Sequence, residues 1–209
     1  DLGAQPLVAA RPQAGVHPGW RGKRALDIAA TALLILLFLP VFLVVALAVK
    51  ASSPGPVLFR QRRVGQGGRE FSILKFRTMR ADAEHQLRAD PELHERFVAG
   101  GHKLPSAVDP RVTKVGRLLR RTSFDELPQL FNVIAGNMSL VGPRPLIVDE
   151  DERITGFDRH RLTLTPGMTG HWQILGSARI PLHEMVGIDY LYVANWSLWT
   201  DLKILLRTV

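Results

Sequence analysis

The sequence predicts an α+β chain, mostly helical, in which one apolar membrane helix precedes a small polar domain with a short β-hairpin. Three observations predict it. Ile28 to Val49 carries no charged residue. Val57 to Arg63 and Glu70 to Met79 are strand-like runs joined by Gly65-Gln66-Gly67-Gly68, the pattern of a hairpin. Much of the chain beyond Met79 shows helical spacing and helix-terminus residues.

Residues 1–20 mix Pro, Gly and Ala without a period and read as a linker. Residues 21–50 form the membrane segment, and residues 51–209 are long enough for one domain with its own core. A first residue Asp1 rather than Met is consistent with an excerpt of a longer protein. The charge-free run suffices to cross a hydrocarbon core of roughly 30 Å as a straight helix. Hydropathy alone suits a simple spanning helix. Two features favour a re-entrant one. Pro40 sits mid-run, where it removes a helix hydrogen bond and favours a kink. Both flanks are basic: Arg21, Lys23 and Arg24 before, Lys50, Arg60, Arg62 and Arg63 after. Positive charge at both ends favours placing both on the cytoplasmic side.

Ser52-Ser53-Pro54-Gly55-Pro56 is a stiff turn leaving the membrane. In the hairpin, Lys75 and Arg77 alternate with Leu74 and Phe76, so both cations share one strand face. The glycine-rich turn lacks a following helix start and reads as a plain turn. Asp82 to Val98 reads as two helical pieces, the second with Asp90 as N-cap and Pro91 in its first turn. His85, His94 and His102 match no usual metal-ligand spacing. Within Arg111 to Arg121, Val112, Val115, Leu118 and Leu119 recur at helical spacing among basic residues, giving an amphipathic helix suited to anionic headgroups. Thr165-Pro166-Gly167 is a turn, and Leu202 to Val209 reads as a last amphipathic helix.

The chain has 209 residues and a formal net charge of +8, which calls for an anionic partner: lipid headgroups, nucleic acid or phosphorylated metabolites. No nucleic-acid module is recognisable. There is no cysteine, which excludes disulfides and thiolate metal sites.

The most informative stretch is Arg120-Arg121-Thr122-Ser123-Phe124-Asp125-Glu126, followed by Gly142-Pro143-Arg144-Pro145. Ser123 and Glu126 have capping-box spacing, so on pattern alone the favoured reading makes Glu126 a helix cap and Asp125 an ordinary acid of a first helical turn. The functional reading uses the same residues. Carboxylates serve as nucleophiles and metal ligands, and arginines bind phosphate oxygens. Asp125 would attack phosphorus beside Arg120 and Arg144, and Glu126 would help hold Mg2+, a hard cation that shares its ligands with substrate phosphates. Prolines on either side stiffen the backbone under Arg144.

These pieces resemble the bacterial sugar transferases that are monotopic phosphoglycosyl transferases. The resemblance runs from about Lys23 to the end. It is carried by Lys23-Arg24-Ala25-Leu26-Asp27, Gly55-Pro56-Val57-Leu58-Phe59, Lys75-Phe76-Arg77-Thr78-Met79, Asp109-Pro110-Arg111-Val112-Thr113, the Asp-Glu stretch with its Gly-Pro-Arg-Pro, Pro166-Gly167-Met168-Thr169-Gly170 and Asn195-Trp196-Ser197-Leu198. Leu39 stands where many members have Ser before the proline, and Gly176-Ser177 where many have Gly-Arg. The resemblance implies a re-entrant membrane helix and a cytoplasmic catalytic domain with interfacial helices. It implies transfer of a sugar 1-phosphate from a nucleoside diphosphate sugar, UDP-glucose or UDP-galactose in exopolysaccharide-type members, to polyprenyl (undecaprenyl) phosphate. The implied route is a phosphosugar intermediate on Asp125, with Mg2+ at Glu126 and with Lys75, Arg77, Arg120 and Arg144 on phosphate. Asp189, beside Tyr190, matches an acidic-aromatic piece and is a candidate nucleotide or sugar contact. The implied location is the cytoplasmic leaflet of the bacterial inner membrane. The competing reading is a membrane-tethered basic protein that binds anionic lipid or nucleic acid. The sequence is silent on oligomeric state.

Overall fold

A computed structural model describes residues 20–100, 104–176 and 181–208, without the side chains of Trp20, Arg21 and Phe157. Residues 1–19 of the expected linker, His102 and the part of the 176–179 loop beyond Gly176 lie outside the described residues, and Trp20, given to the linker by the sequence, begins the first helix. Helix α1 (Trp20–Ser52) contains the whole apolar run, and its helical backbone continues through Pro40. Among the described residues it is the one helix long and apolar enough to cross a membrane. Strands β1 (Leu58–Val64) and β2 (Glu70–Phe76) then form the expected antiparallel hairpin, closed by a 3-10 turn at Gln66–Gly68.

Helices α2 (Ala83–Ala89) and α3 (Pro91–Ala99) are the two expected pieces. The Asp90 side chain accepts from the Leu93 amide at 3.0 Å, which caps α3 as its sequence implied. Helix α4 (Lys114–Thr122) starts later than expected because Thr113 supplies its N-cap. Asp109 and Arg111 are buried and paired in the preceding turn. Helix α5 (Gln129–Ile134) ends before Gly136, whose φ of 88° is the left-handed geometry expected just past a C-cap. Then come β3 (Ser139–Val141), α6 (Val148–Asp151), a 3-10 segment at Gly156–Thr163, β4 (Gly167–Thr169), α7 (His171–Ile174), α8 (Leu182–Ala194) and α9 (Leu198–Thr208). β3 and β4 pair in parallel. The last helix starts four residues earlier than the sequence suggested and presents Leu198, Trp199, Leu202 and Leu206 to the outside. In α4, Val115 and Leu119 pack inward whereas Leu118 is exposed.

The main core gathers Ile73 of β2, Leu130 and Val133 of α5, Leu140 and Val141 of β3, Tyr192 of α8 and Ile204 of α9. One face of α1 packs on it through Ala30, Leu34, Ile35 and Phe42. Farther along, Val45 and Val49 pack with Phe76 and Leu119. The opposite face exposes Leu33, Leu36, Leu37, Leu43, Val44 and Leu47.

Polar bonds fasten both ends of α1. At its start, Lys23 pairs with Asp201 of α9 at 2.5 Å. Arg24 donates to the carbonyls of Val133 and Ile134, which are left open at the end of α5. Asp27 is buried and accepts from the Ser139 hydroxyl at 2.8 Å and the Leu140 amide at 3.2 Å. At its other end, the Arg77 guanidinium donates to the carbonyls of Val49, Ser53 and Pro54.

Asp27 is the bond set most sensitive to substitution. Asp27→Ala leaves the buried Leu140 amide without its acceptor, while the Ser139 hydroxyl keeps the Val141 carbonyl, and should destabilise the domain by about 1–3 kcal/mol. Asp27→Asn keeps an acceptor and should cost less. Denaturant unfolding in detergent followed by tryptophan fluorescence measures both; equal stability of all three proteins would show that this tie is not needed.

Candidate active site

Ser123 ends α4 in the left-handed region, with φ 56°, which is uncommon outside glycine. That reversal turns Phe124–Glu126 into a single 3-10 turn. Its side chain caps nothing; its carbonyl accepts from the Glu126 amide at 3.1 Å. The expected capping box therefore does not form, because a left-handed Ser123 ends one helix rather than starting the next. Glu126 is free of that duty and pairs instead with Lys75 of β2, Oε1 to Nζ, at 2.7 Å. No hydrogen bond occupies its Oε2 among the described residues.

Asp125 is half-buried. Burial pushes its carboxyl above the usual range. Lys75 opposes that, Glu126 adds to it, and Arg120 opposes it more weakly. Arg120 is tethered by Thr78 Oγ1 at 2.9 Å and Ser106 Oγ at 3.2 Å, and acts on Asp125 through its charge. Burial lowers the pKa of Arg120 itself.

Arg144 sits on a loop whose consecutive carbonyls are all engaged. Pro143 O accepts from the Gly167 amide, Arg144 O from the Arg161 guanidinium, Pro145 O from Arg63 Nη1 and Leu146 O from the Val64 amide. Gly142 and Gly167 permit this. A Cβ on Gly167 would lie 2.0 Å from Gly142 N, and one on Gly142 would lie 2.4 Å from Thr165 O. Fixed from behind, the Arg144 guanidinium lies 5.3 Å from the centre of the Trp172 ring.

Lys75, Glu126 and Arg144 line one open cavity of about 370 Å³, together with Arg63, Gln129 and Gln173. Asp125 lies between Ser123 and Glu126, both of which line it. Sequence-predicted residues from β2, the 3-10 turn and the Pro-Arg-Pro loop thus meet around one space.

Arg120, Arg77 and Asp189 are not among the residues that line it. Arg77 lies just past β2, buried, with its guanidinium bound to the carbonyls at the end of α1, so it is a structural cap and not a phosphate ligand. Asp189 is buried in α8 and bonded to Arg161 at 2.9 Å, so it has no face to offer a nucleotide or sugar. Burial pushes its carboxyl up to about 6, and Arg161 works against that. Through Arg161 it supports the Arg144 carbonyl instead. Three residues escaped the sequence reading: Arg63, Arg161 and Trp172. Arg63 had a signal, since β1 pairing puts its side chain on the same sheet face as Lys75. Arg161 and Trp172 had none, because their partners are distant in sequence.

Lys75 is the largest influence holding the Asp125 carboxyl down. Lys75→Met should therefore move the Asp125 titration to higher pH, so that less carboxylate is present at any acidic pH. Carboxyl carbon NMR shifts measured through a pH titration read this. A midpoint that stays put or falls would show that Lys75 does not act on Asp125.

A family model described as "Bacterial sugar transferase" matches residues 19–209, a span that holds every residue of this cavity. The chain is 45% identical to the galactosyl transferase CpsE of Streptococcus agalactiae, over 90% of this chain and 41% of that protein. It is 45% identical to a UDP-glucose:undecaprenyl-phosphate glucose-1-phosphate transferase of Caulobacter vibrioides, over 90% of this chain and 68% of that protein. It is 41% identical to the exopolysaccharide production protein ExoY of Rhizobium meliloti, over 99% of this chain and 92% of that protein. The chain spans about two fifths of the length of several curated relatives it matches, CpsE among them. With the Asp-Glu turn, the Pro-Arg-Pro loop and the apolar helix all inside the matched span, the chain belongs to the bacterial sugar transferase family.

Proposed function

We propose that this chain transfers a sugar 1-phosphate from UDP-glucose or UDP-galactose to undecaprenyl phosphate, through a phosphosugar intermediate on Asp125, at the first step of exopolysaccharide or other surface glycan synthesis. The observation that carries this reading is the single cavity bordered by the Asp125-Glu126 turn and by Lys75 and Arg144. Relatives named for UDP-glucose and galactose transfer to undecaprenyl phosphate support the donor and acceptor.

In the first half-reaction a carboxylate oxygen of Asp125 bonds to the sugar-bearing phosphorus. The bond from that phosphorus to the bridging oxygen breaks, and its electron pair leaves with UMP. In the second, an oxygen of undecaprenyl phosphate bonds to the same phosphorus and the Asp125 carboxylate is released. Arg144 and Lys75 neutralise the phosphate so that one anion can approach another. The raised Asp125 pKa leaves a carboxylate of stronger basicity, and so a better nucleophile once ionised, in a partly desolvated setting.

The family implies Mg2+, and the residues present fit it. The described residues hold no cluster of three acidic or histidine ligands. Mg2+ ordinarily takes one or two carboxylates and completes its shell with substrate phosphate and water. Glu126, with its Oε2 unengaged beside the cavity, suits that arrangement. When bound, the ion would supply charge neutralisation on the diphosphate.

For topology, residues 21–50 enter and leave the cytoplasmic leaflet of the inner membrane by one face, and the domain that follows rests on that leaflet in the cytoplasm. Both ends of α1 are bonded to one domain, and its outer face is a stripe of leucine and valine, which supports this reading. Leu118 of α4 and the Leu198, Trp199, Leu202 and Leu206 face of α9 are exposed apolar surfaces suited to an interface.

Intact-protein mass spectrometry with Mg2+ and a panel of UDP-sugars, without acceptor, tests the chemistry. A hexose-phosphate adduct on Asp125 with release of UMP is expected, and Asp125→Asn should abolish both. Folded protein in a bilayer mimic that gives neither adduct nor UMP with any donor would remove the transfer reading. Retained binding to anionic vesicles would then leave the basic tethered protein.

A further inference from the structure

Arg63 holds the Pro145 carbonyl of the Arg144 loop, and it also lines the cavity beside Arg144. Burial and the neighbouring Arg144 charge lower its pKa, against the weaker opposing charges of Glu150 and Glu126. Lys75 is matched by Glu126, but neither Arg63 nor Arg144 forms an ion pair with any carboxylate among the described residues. Arg63 gives Nη1 to Pro145 O at 3.1 Å and Nη2 to Gln61 Oε1 at 2.7 Å. Its Nε is buried without a partner. Two adjacent, partly desolvated guanidiniums with an unused donor constitute an incomplete anion site.

Position says which anion. Phe59 of β1 is opposite Lys75, whereas Arg63 is opposite Phe71. Arg63 is thus four residues, about 13 Å, along the strand from the Lys75 end where Asp125 acts. In phosphoryl transfer the attacking and leaving oxygens are roughly in line across phosphorus. A phosphate leaving from a phosphorus attacked by Asp125 departs away from Asp125, toward Arg63. In the second half-reaction Asp125 is itself the leaving group, so the incoming phosphate must arrive from that same side.

Resting on the transfer reading above, we propose that Arg63 is a phosphate-binding residue at the leaving-group end of the cavity, and that the departing nucleoside monophosphate and the incoming lipid phosphate occupy it in turn. The first takes the electron pair of the breaking P–O bond on an oxygen of its phosphate, which Arg63 holds. The second attacks with an oxygen held at the same place.

Equilibrium binding of UMP, uridine and farnesyl phosphate to the full chain in a bilayer mimic tests this, with Arg63→Gln and Arg63→Lys. Glutamine keeps an N–H for the Pro145 carbonyl but loses the charge; lysine keeps the charge. Arg63→Gln should weaken UMP and farnesyl phosphate at least ten-fold and uridine less than two-fold, and Arg63→Lys should recover most of the loss. Farnesyl phosphate should displace UMP from the unmodified protein. Equal weakening of UMP and uridine would reduce Arg63 to a loop support, and simultaneous binding of UMP and farnesyl phosphate would overturn the shared site. If the unmodified protein forms no Asp125 adduct but binds UMP in an Arg63-dependent way, the transfer reading falls and the anion site stands.

Discussion

Charged side chains bind both ends of a long apolar helix to a single folded domain, and the rest of the molecule is arranged around that constraint. Lys23, Arg24 and Asp27 hold the start of α1, and Arg77 holds its end. Between them the helix lies along the domain with one face packed and the other apolar and open. Buried carbonyls at helix ends must find donors, and arginine meets several at once with its planar fork. The geometry ties the height of the cavity to the height of the helix, because β2 and α5 contact α1 and also supply Lys75 and Gln129 to the cavity.

A second constraint shapes the cavity itself. Arg144 is presented from a loop whose four consecutive carbonyls are held by β1, the 3-10 segment and the start of β4. The buried Arg161–Asp189 pair carries part of that load. Opposite, the left-handed Ser123 fixes the Asp125-Glu126 turn. Each element limits how far its charge can wander, so the charges around the cavity are held in place in advance of any ligand.

The net charge of +8 therefore divides into two kinds of cation. Arg24, Arg77 and Arg161 neutralise carbonyls and buried carboxylates, and so serve the fold. Lys75, Arg144 and Arg63 line the cavity. Composition pointed to an anionic partner without separating the two classes, since a buried arginine and a ligand-binding arginine count alike.

The hairpin, the cap at Asp90 and the apolar helix were legible because each depends on residues close in sequence. Asp125, Glu126, Lys75 and Arg144 were legible as residue types in a recognisable order; Glu126, Lys75 and Arg144 line one cavity, and Asp125 adjoins it in the same turn as Glu126. Local pattern misled at Ser123, where capping-box spacing met a backbone that tertiary packing holds left-handed. Arg77 and Asp189, which the resemblance offered as ligands, are bonded instead to the carbonyls at the end of α1 and to Arg161. By itself the sequence determined the elements, the family and the inventory of charges. Only the tertiary structure decided which charges meet a carbonyl, which meet each other and which are left facing the cavity, because those pairings join residues far apart in the chain and no local spacing encodes them.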